Sequence, residues 1–338
     1  MISLGWVASR CLQAPPHPLA CSRCLDACPT EALAFQEHDD GVSPLASDAC
    51  HGCAQCVAAC PSEALVSAEI DALMTGQAQG EPIGLGCHRV TDQKDLTRLH
   101  CLRALGPDLL AWLTARAAPG AVTLMLPASC RDCEAAEPAE QDGWLEQAQT
   151  FCHISEANAG EDYRAARTAV SRRDLLRGRP APRPPAIAAE DAAPKARRVQ
   201  RQQAAAEALK ETRAAPALPG LSLDADACRA HGVCARVCPT EALQETQEGD
   251  LNFDPLACLD CGHCLSACPE GALTRTEGSQ TAAVTLRQGQ RIDCRSCGRP
   301  FTPVDGELRR DAAETLSTCP ACRREAALME ESFHELFG

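Results

Sequence analysis

Cys50-His51-Gly52-Cys53-Ala54-Gln55-Cys56-Val57-Ala58-Ala59-Cys60-Pro61 sets four cysteines at gaps of two, two and three residues and closes on a proline. Thiolates at this spacing wrap cubane iron–sulfur clusters: three bind one cluster, and the fourth, before the proline, reaches to a second. The closing phrase recurs along the chain, as CPTEAL at Cys28–Leu33, CPSEAL at Cys60–Leu65, CPTEAL at Cys238–Leu243 and CPEGAL at Cys268–Leu273. Cys28 and Cys60 stand 32 positions apart, and Cys238 and Cys268 stand 30 apart. The repeats therefore form two pairs.

In the first pair the partner of the intact group is Cys21-x2-Cys24-x3-Cys28-Pro29, with Pro18 where a further cysteine belongs. The nearest upstream thiol is Cys11, which a longer loop could deliver. Crossing the fourth ligands gives one site on Cys11, Cys21, Cys24 and Cys60, and another on Cys28, Cys50, Cys53 and Cys56. Without Cys11 the first would be a three-iron or labile centre. In the second pair Cys258-x2-Cys261-x2-Cys264-x3-Cys268-Pro269 is intact, and it faces Cys228-x2-His231-x2-Cys234-x3-Cys238-Pro239. The expected sites are Cys228, His231, Cys234 and Cys268, and Cys238, Cys258, Cys261 and Cys264. Either a neutral His231 ring ligates, removing one negative charge and raising the reduction potential, or three cysteines hold a [3Fe–4S] centre. After each proline, TEAL or SEAL reads as the start of a helical turn, and Leu251–Phe253 reads as a hairpin strand.

Each pair resembles the bacterial 2[4Fe–4S] ferredoxin family, over about 120 residues in total. The resemblance implies paired clusters close enough for rapid tunnelling: three to four [4Fe–4S] clusters, with [3Fe–4S] as the alternative form for one or two of them. It also implies an electron carrier rather than an enzyme. Multi-cluster proteins of this kind accompany oxidoreductases such as formate dehydrogenase, or hydrogenase and heterodisulfide-reductase assemblies.

Between the pairs, Ile83–Gly86 and Ala121–Leu126 read as short buried strands, and Pro107–Ala117 reads as a helix through Leu109, Leu110 and Leu113. Cys87 follows the first strand and Cys130 and Cys133 the second, near the carboxyl ends where open α/β sheets place their sites. With Cys101 in LHCLRALGPDLLAWL, this order is similar to the small [2Fe–2S] subunit that links hydrogenase to heterodisulfide reductase. That similarity implies a [2Fe–2S] cluster on Cys87, Cys101, Cys130 and Cys133, with zinc and unligated thiols as the other readings. The Gly84–Gly86 segment lacks the third glycine of a dinucleotide loop, where Arg89 stands. Near the end, Cys294-x2-Cys297 and Cys319-x2-Cys322 are separated by 21 residues and predict a closed four-thiolate zinc site, a zinc-ribbon or rubredoxin-like pair of knuckles. Cys152 is left over and reads as a buried small side chain.

The expected fold class is α+β. Two ferredoxin-like double-cluster modules (1–70 and 221–276) flank a small α/β domain (80–156) and a basic Ala/Arg/Pro-rich linker (157–220), and zinc-ribbon knuckles (285–326) and a tail (327–338) follow. With 24 cysteines but 3% aromatic residues, clusters rather than large cores must supply part of the folding energy. Cysteine clustering of this kind points to metal and a reducing, cytoplasmic compartment. No apolar run reaches bilayer length, and the N-terminus lacks a basic leader followed by an apolar stretch, so neither a membrane span nor a signal peptide is expected.

Arg164–Arg213 holds 13 Lys/Arg against five Asp/Glu, net +8, which leaves the remainder at −22. Acidic modules favour a redox partner protein with a basic docking surface and disfavour nucleic acid. The basic stretch reads as a solvated linker with a helix near Lys195–Arg213, and Ser171–Leu176 resembles a twin-arginine motif without the apolar segment an export leader needs. No nucleophile–base grouping or phosphate loop stands out, so no catalytic residue is expected. The functional expectation is an electron relay or accessory subunit of an oxidoreductase complex. The alternatives are an iron–sulfur maturation factor and, more weakly, a redox-sensing regulator that binds DNA through the linker.

Overall fold

A computed structural model describes residues 4–13, 21–38, 41–77, 79–90, 96–118, 120–136, 143–157, 194–212, 216–225, 227–276, 280, 282–289, 291–303 and 318–337. The chain divides into two compact units, Met1–Pro216 and Ala217–Gly338. The twin-arginine-like segment 171–176 lies outside the described residues.

The first unit opens with strand β1 (Leu4–Trp6), helix α1 (Arg23–Asp26), strands β2 (Leu33–His38) and β3 (Gly41–Ala46), helix α2 (Gln55–Ala59) and strand β4 (Leu65–Ser67). β1 pairs antiparallel with β4, Leu4 opposite Ser67, while β2 and β3 form a hairpin. Helix α3 (Ala68–Gly76) then leads into β5 (Ile83–Cys87), β6 (Thr97–Leu99), α4 (Pro107–Arg116), β7 (Val122–Pro127), α5 (Gly143–Phe151) and β8 (His153–Ala157). The four strands form one parallel sheet in the order β6-β5-β7-β8. Apolar residues fill both faces of its central strands, as a parallel sheet covered by helices requires. Leu85, Leu110, Leu113 and Leu124 are fully buried in its core, and Cys152 lies there too. Burial pushes the Cys152 thiol up to about 12, which makes it an inert core side chain.

Helix α6 (Pro194–Leu209) lies in the basic stretch read as solvated linker, and over these residues the chain is docked; residues 158–193 of that stretch lie outside the described residues. Ala205 and Leu209 pack on Ala111 of α4, and three arginines of α6 enter ion pairs. Arg197 meets Glu63 at 3.2 Å and Asp71 at 3.0 Å, Arg198 meets Asp108 at 3.4 Å, and Arg201 bridges Glu63 and Asp108. Burial raises the Asp108 carboxyl, but Arg198 and Arg201 outweigh it and hold the group below its ordinary value. Three of the arginines that looked like surplus charge are matched by Glu63 of the first module, Asp71 of α3 and Asp108 of α4.

The second unit contains β9 (Leu221–Leu223), α7 (Val233–Arg236), β10 (Leu243–Glu245), β11 (Leu251–Phe253), α8 (His263–Ser266) and β12 (Leu273–Arg275). β9 pairs with β12, and β10 pairs with β11, repeating the plan of the first module. Strand β13 (Val284–Arg287) adds to β11, and β14 (Ile292–Asp293), β15 (Pro300–Phe301) and α9 (Pro320–Phe337) close the chain. Phe253 is fully buried at the centre of a small core with Leu243 and Leu251.

The TEAL and SEAL segments do not start helices. In all four repeats the third residue after the cysteine (Glu31, Glu63, Glu241 and Gly271) has φ between 51° and 60°. Its N–H donates to the cysteine carbonyl at 3.1–3.4 Å, which closes a turn. A left-handed residue cannot continue a right-handed helix, so the chain leaves each turn as β2, β4, β10 or β12.

Candidate iron–sulfur and metal centres

The β1–β4 pairing carries the chain back across the first module, with Val7 N–H donating to Ala64 O at 2.8 Å. That return delivers Cys11 to Cys60. Cys11, Cys21, Cys24 and Cys60 line one cavity walled by Trp6 and Phe35, and Gln13 Oε1 accepts the Cys21 N–H at 2.7 Å. Burial and the charges of Cys60, Cys21 and Cys11 push the Cys24 thiol up to about 12. Cys28, Cys50, Cys53 and Cys56 line a second cavity, where burial and the neighbouring thiolates raise Cys56 strongly.

The second unit repeats one of these sites in full. Cys238, Cys258, Cys261 and Cys264 line a cavity beside Leu221 and Phe253, and burial with thiolate neighbours pushes Cys264 up to about 12. In the other site, Cys228 and Cys268 stand close enough to Cys234 to raise its thiol, after burial, which is the main cause. His231 occupies the same turn as the complete groups. It lies between left-handed Ala230 and Gly232, as Cys53 lies between Gly52 and Ala54, and Cys261 between Asp260 and Gly262. His231 is exposed, and its carbonyl accepts from Arg236 at 2.7 Å.

These donor sets fit iron–sulfur clusters. Buried thiols that raise one another are costly to ionise alone, and a cationic iron core among them reverses that balance. Backbone N–H groups are already aimed at the sulfurs: Ala32 at Cys28 (3.2 Å), Ala64 at Cys60 (3.2 Å), Ala272 at Cys268 (3.3 Å) and Asp260 at Cys258 (3.4 Å). Hydrogen bonds to the sulfurs favour the charged ligand and help set cluster potentials.

Residues 19–64 match a 4Fe-4S dicluster domain, and residues 220–269 match a second 4Fe-4S dicluster domain. The chain carries two ferredoxin-like domains in tandem. Their role is iron–sulfur electron transfer, and their cofactors are [4Fe–4S] clusters. Cys11 lies outside the first match, and no curated protein matches the chain. Among the described residues, no helix is long and apolar enough to cross a membrane.

Arg287, which the sequence did not single out, sits beside the second ferredoxin-like domain's incomplete site. Its buried guanidinium donates to Cys228 Sγ at 3.5 Å, to Glu245 at 2.7 Å and to Gly249 O at 2.8 Å. Nothing in its local pattern announces this, because β13 brings it from 59 positions away.

Outside the ferredoxin-like domains, Cys87, Cys101, Cys130 and Cys133 line a single cavity with Arg89 and Arg103. Cys87 ends β5, and Cys130 and Cys133 follow β7. Connections leave β5 for β6 on one side and reach β7 on the other, so the thiols sit at the sheet's switch point. Burial raises Cys101 strongly, while the Arg103 N–H opposes this. At the end of the chain, the Sγ atoms of Cys294, Cys297, Cys319 and Cys322 lie within 4.8 Å of one another. Among the described residues they form the one grouping compact enough for a single ion. Cys297 and Cys319 are 3.8 Å apart, matching the ~3.8 Å edge of a tetrahedron with metal–sulfur bonds of ~2.3 Å. Backbone N–H groups of Cys319 and Cys297 lower the Cys294 thiol to about 6.

Proposed function

We propose that the chain is a polyferredoxin-like relay, an accessory subunit passing single electrons within a cytoplasmic oxidoreductase complex such as a formate dehydrogenase or hydrogenase. The observation that carries the reading is the crossing of thiols between repeats, with Cys60 joining Cys21 and Cys24, and Cys238 joining Cys258 and Cys261. Clusters held this way supply reversible one-electron storage, and the chain's own residues set its level through burial, N–H donors and Arg287. Cys11 completes the first site. Cys228, Cys234 and Cys268 hold a site that takes either His231 as its fourth ligand or a [3Fe–4S] centre. The middle thiols hold a [2Fe–2S] cluster, and the tail thiols hold zinc as a closed structural site. The acidic modules favour a redox partner with a basic docking surface.

An assembly factor for a metallo-oxidoreductase is the second reading, favoured by the exposed His231 at an incomplete site. DNA binding loses weight, because Arg197, Arg198 and Arg201 are engaged within the chain.

Anaerobic purification with iron, sulfide and zinc analysis, followed by rapid mixing with a low-potential reductant and EPR, tests the relay. Four cubanes correspond to about 16 irons. Fast, reversible reduction of every centre supports it. Clusters that never turn over, with tight binding to an immature enzyme alone, favour the factor, and a colourless folded protein rules out both.

A further inference from the structure

Two of the sites in the first unit share a wall. Cys53, a thiol of the ferredoxin-like domain, forms one buried cluster with Cys101 of the middle site and Ala135, and Cys133 packs against it. Two polar struts tie the walls together. Gln55 Nε2 donates to Ala135 O at 2.6 Å and lies 3.6 Å from Cys53 Sγ, so one buried amide joins a cluster thiol to the loop carrying Cys133. From the other side, His100 Nε2 donates to His51 O at 2.8 Å, which fixes the residue before Cys101 to the loop between Cys50 and Cys53.

We propose that Cys53, Cys101 and Gln55 form an electron junction that makes the middle site the next station after the Cys28/Cys50/Cys53/Cys56 site. The proposal rests on the reading of the middle thiols as an iron–sulfur site. One electron leaves the centre at one set of thiols and enters the centre at the other, so one is oxidised as the other is reduced. No bond forms or breaks and no proton moves. Gln55 is a positioning residue: it donates toward one thiol and holds the loop bearing another. The first ferredoxin-like domain then discharges into the parallel sheet as well as to an outside partner.

The test uses the full chain, reconstituted anaerobically with ferrous iron and sulfide and poised at stepped potentials with dithionite. The readout is the microwave power that saturates the middle centre's EPR signal, measured where cubane signals have relaxed away. Reduction of the neighbouring centre is expected to raise that power. Gln55→Leu is expected to reduce the rise while leaving iron content and both signals intact, and Cys130→Ser with Cys133→Ser to remove the middle signal. If both centres are present and saturate independently, the junction is wrong and the site reading survives. Should zinc persist in place of the middle signal when Cys294 and Cys322 are replaced by serine, the site reading fails and the junction with it.

Discussion

The two ferredoxin-like domains depart from the full cysteine pattern in the same half but by opposite means. In the second, the backbone is conserved and the side chain changes: His231 keeps the left-handed turn of Cys53 and Cys261, yet it is exposed. In the first, Ser22 after Cys21 has φ −113° where Ala54 and Gly262 are left-handed, and buried Cys11, which follows the β1–β4 pairing, lines the cavity of Cys21, Cys24 and Cys60. A thiol distant in sequence can therefore be brought to the same cavity as the local cysteine group by strand pairing. Keeping the turn does not by itself bury a ligand.

The largest effect expected from this contrast is on iron content. Cys11→Ala should empty or cripple the first site, losing up to about four irons per chain, whereas His231→Ala should leave iron at the second domain unchanged. Equal losses in the two variants, by iron assay and EPR, would erase the distinction. Next in size is the support that the first domain receives from α6. Arg201→Ala removes the bridge between Glu63 and Asp108, both only 12% exposed, leaving Arg197 and Arg198 as their remaining partners, and should destabilise the first unit by about 2 kcal/mol in anaerobic denaturant unfolding. The second unit's transition should not move.

Smaller changes are expected in potential. His231→Cys should add a thiolate and lower the reduction potential of its centre, and Arg287→Met should lower it too by removing the donor to Cys228. Each kcal/mol of differential stabilisation corresponds to roughly 40 mV for one electron, readable in a mediated EPR titration. The smallest effect concerns the shared turn. Gly271 adopts φ 60° without strain, while Glu241 holds φ 57° with a side chain. Glu241→Gly should therefore stabilise the second unit by up to about 1 kcal/mol. Destabilisation instead would mean that the Glu241 side chain matters more than its backbone.

The cysteine groups, the strands around Ile83 and Val122, the helix at Pro107 and the helix within the basic stretch were legible because each is written in local spacing. The turn after each proline was not. TEAL has good helix formers, but closing the turn on the cysteine carbonyl, with the next N–H aimed at sulfur, puts the glutamate in a left-handed conformation that propensity does not report. Docking of α6 was hidden for another reason: its arginines meet acids up to 138 positions away, and charge runs look alike whether solvated or paired. Gln55 and Arg287 escaped notice because a lone amide or guanidinium gains meaning only from what the fold sets beside it.

The pairing of Leu4–Trp6 with Leu65–Ser67 also sets a clock on biosynthesis. Cys11 and Cys60 are 49 positions apart, and at ~5–20 residues per second a ribosome needs roughly 2 to 10 seconds to get from one codon to the other. During that interval Cys11, Cys21 and Cys24 lack the Cys60 thiol that lines the same cavity in the folded unit. A centre shared by Cys11 and Cys60 could take up its iron only after that interval, once the strand that follows Cys60 has emerged.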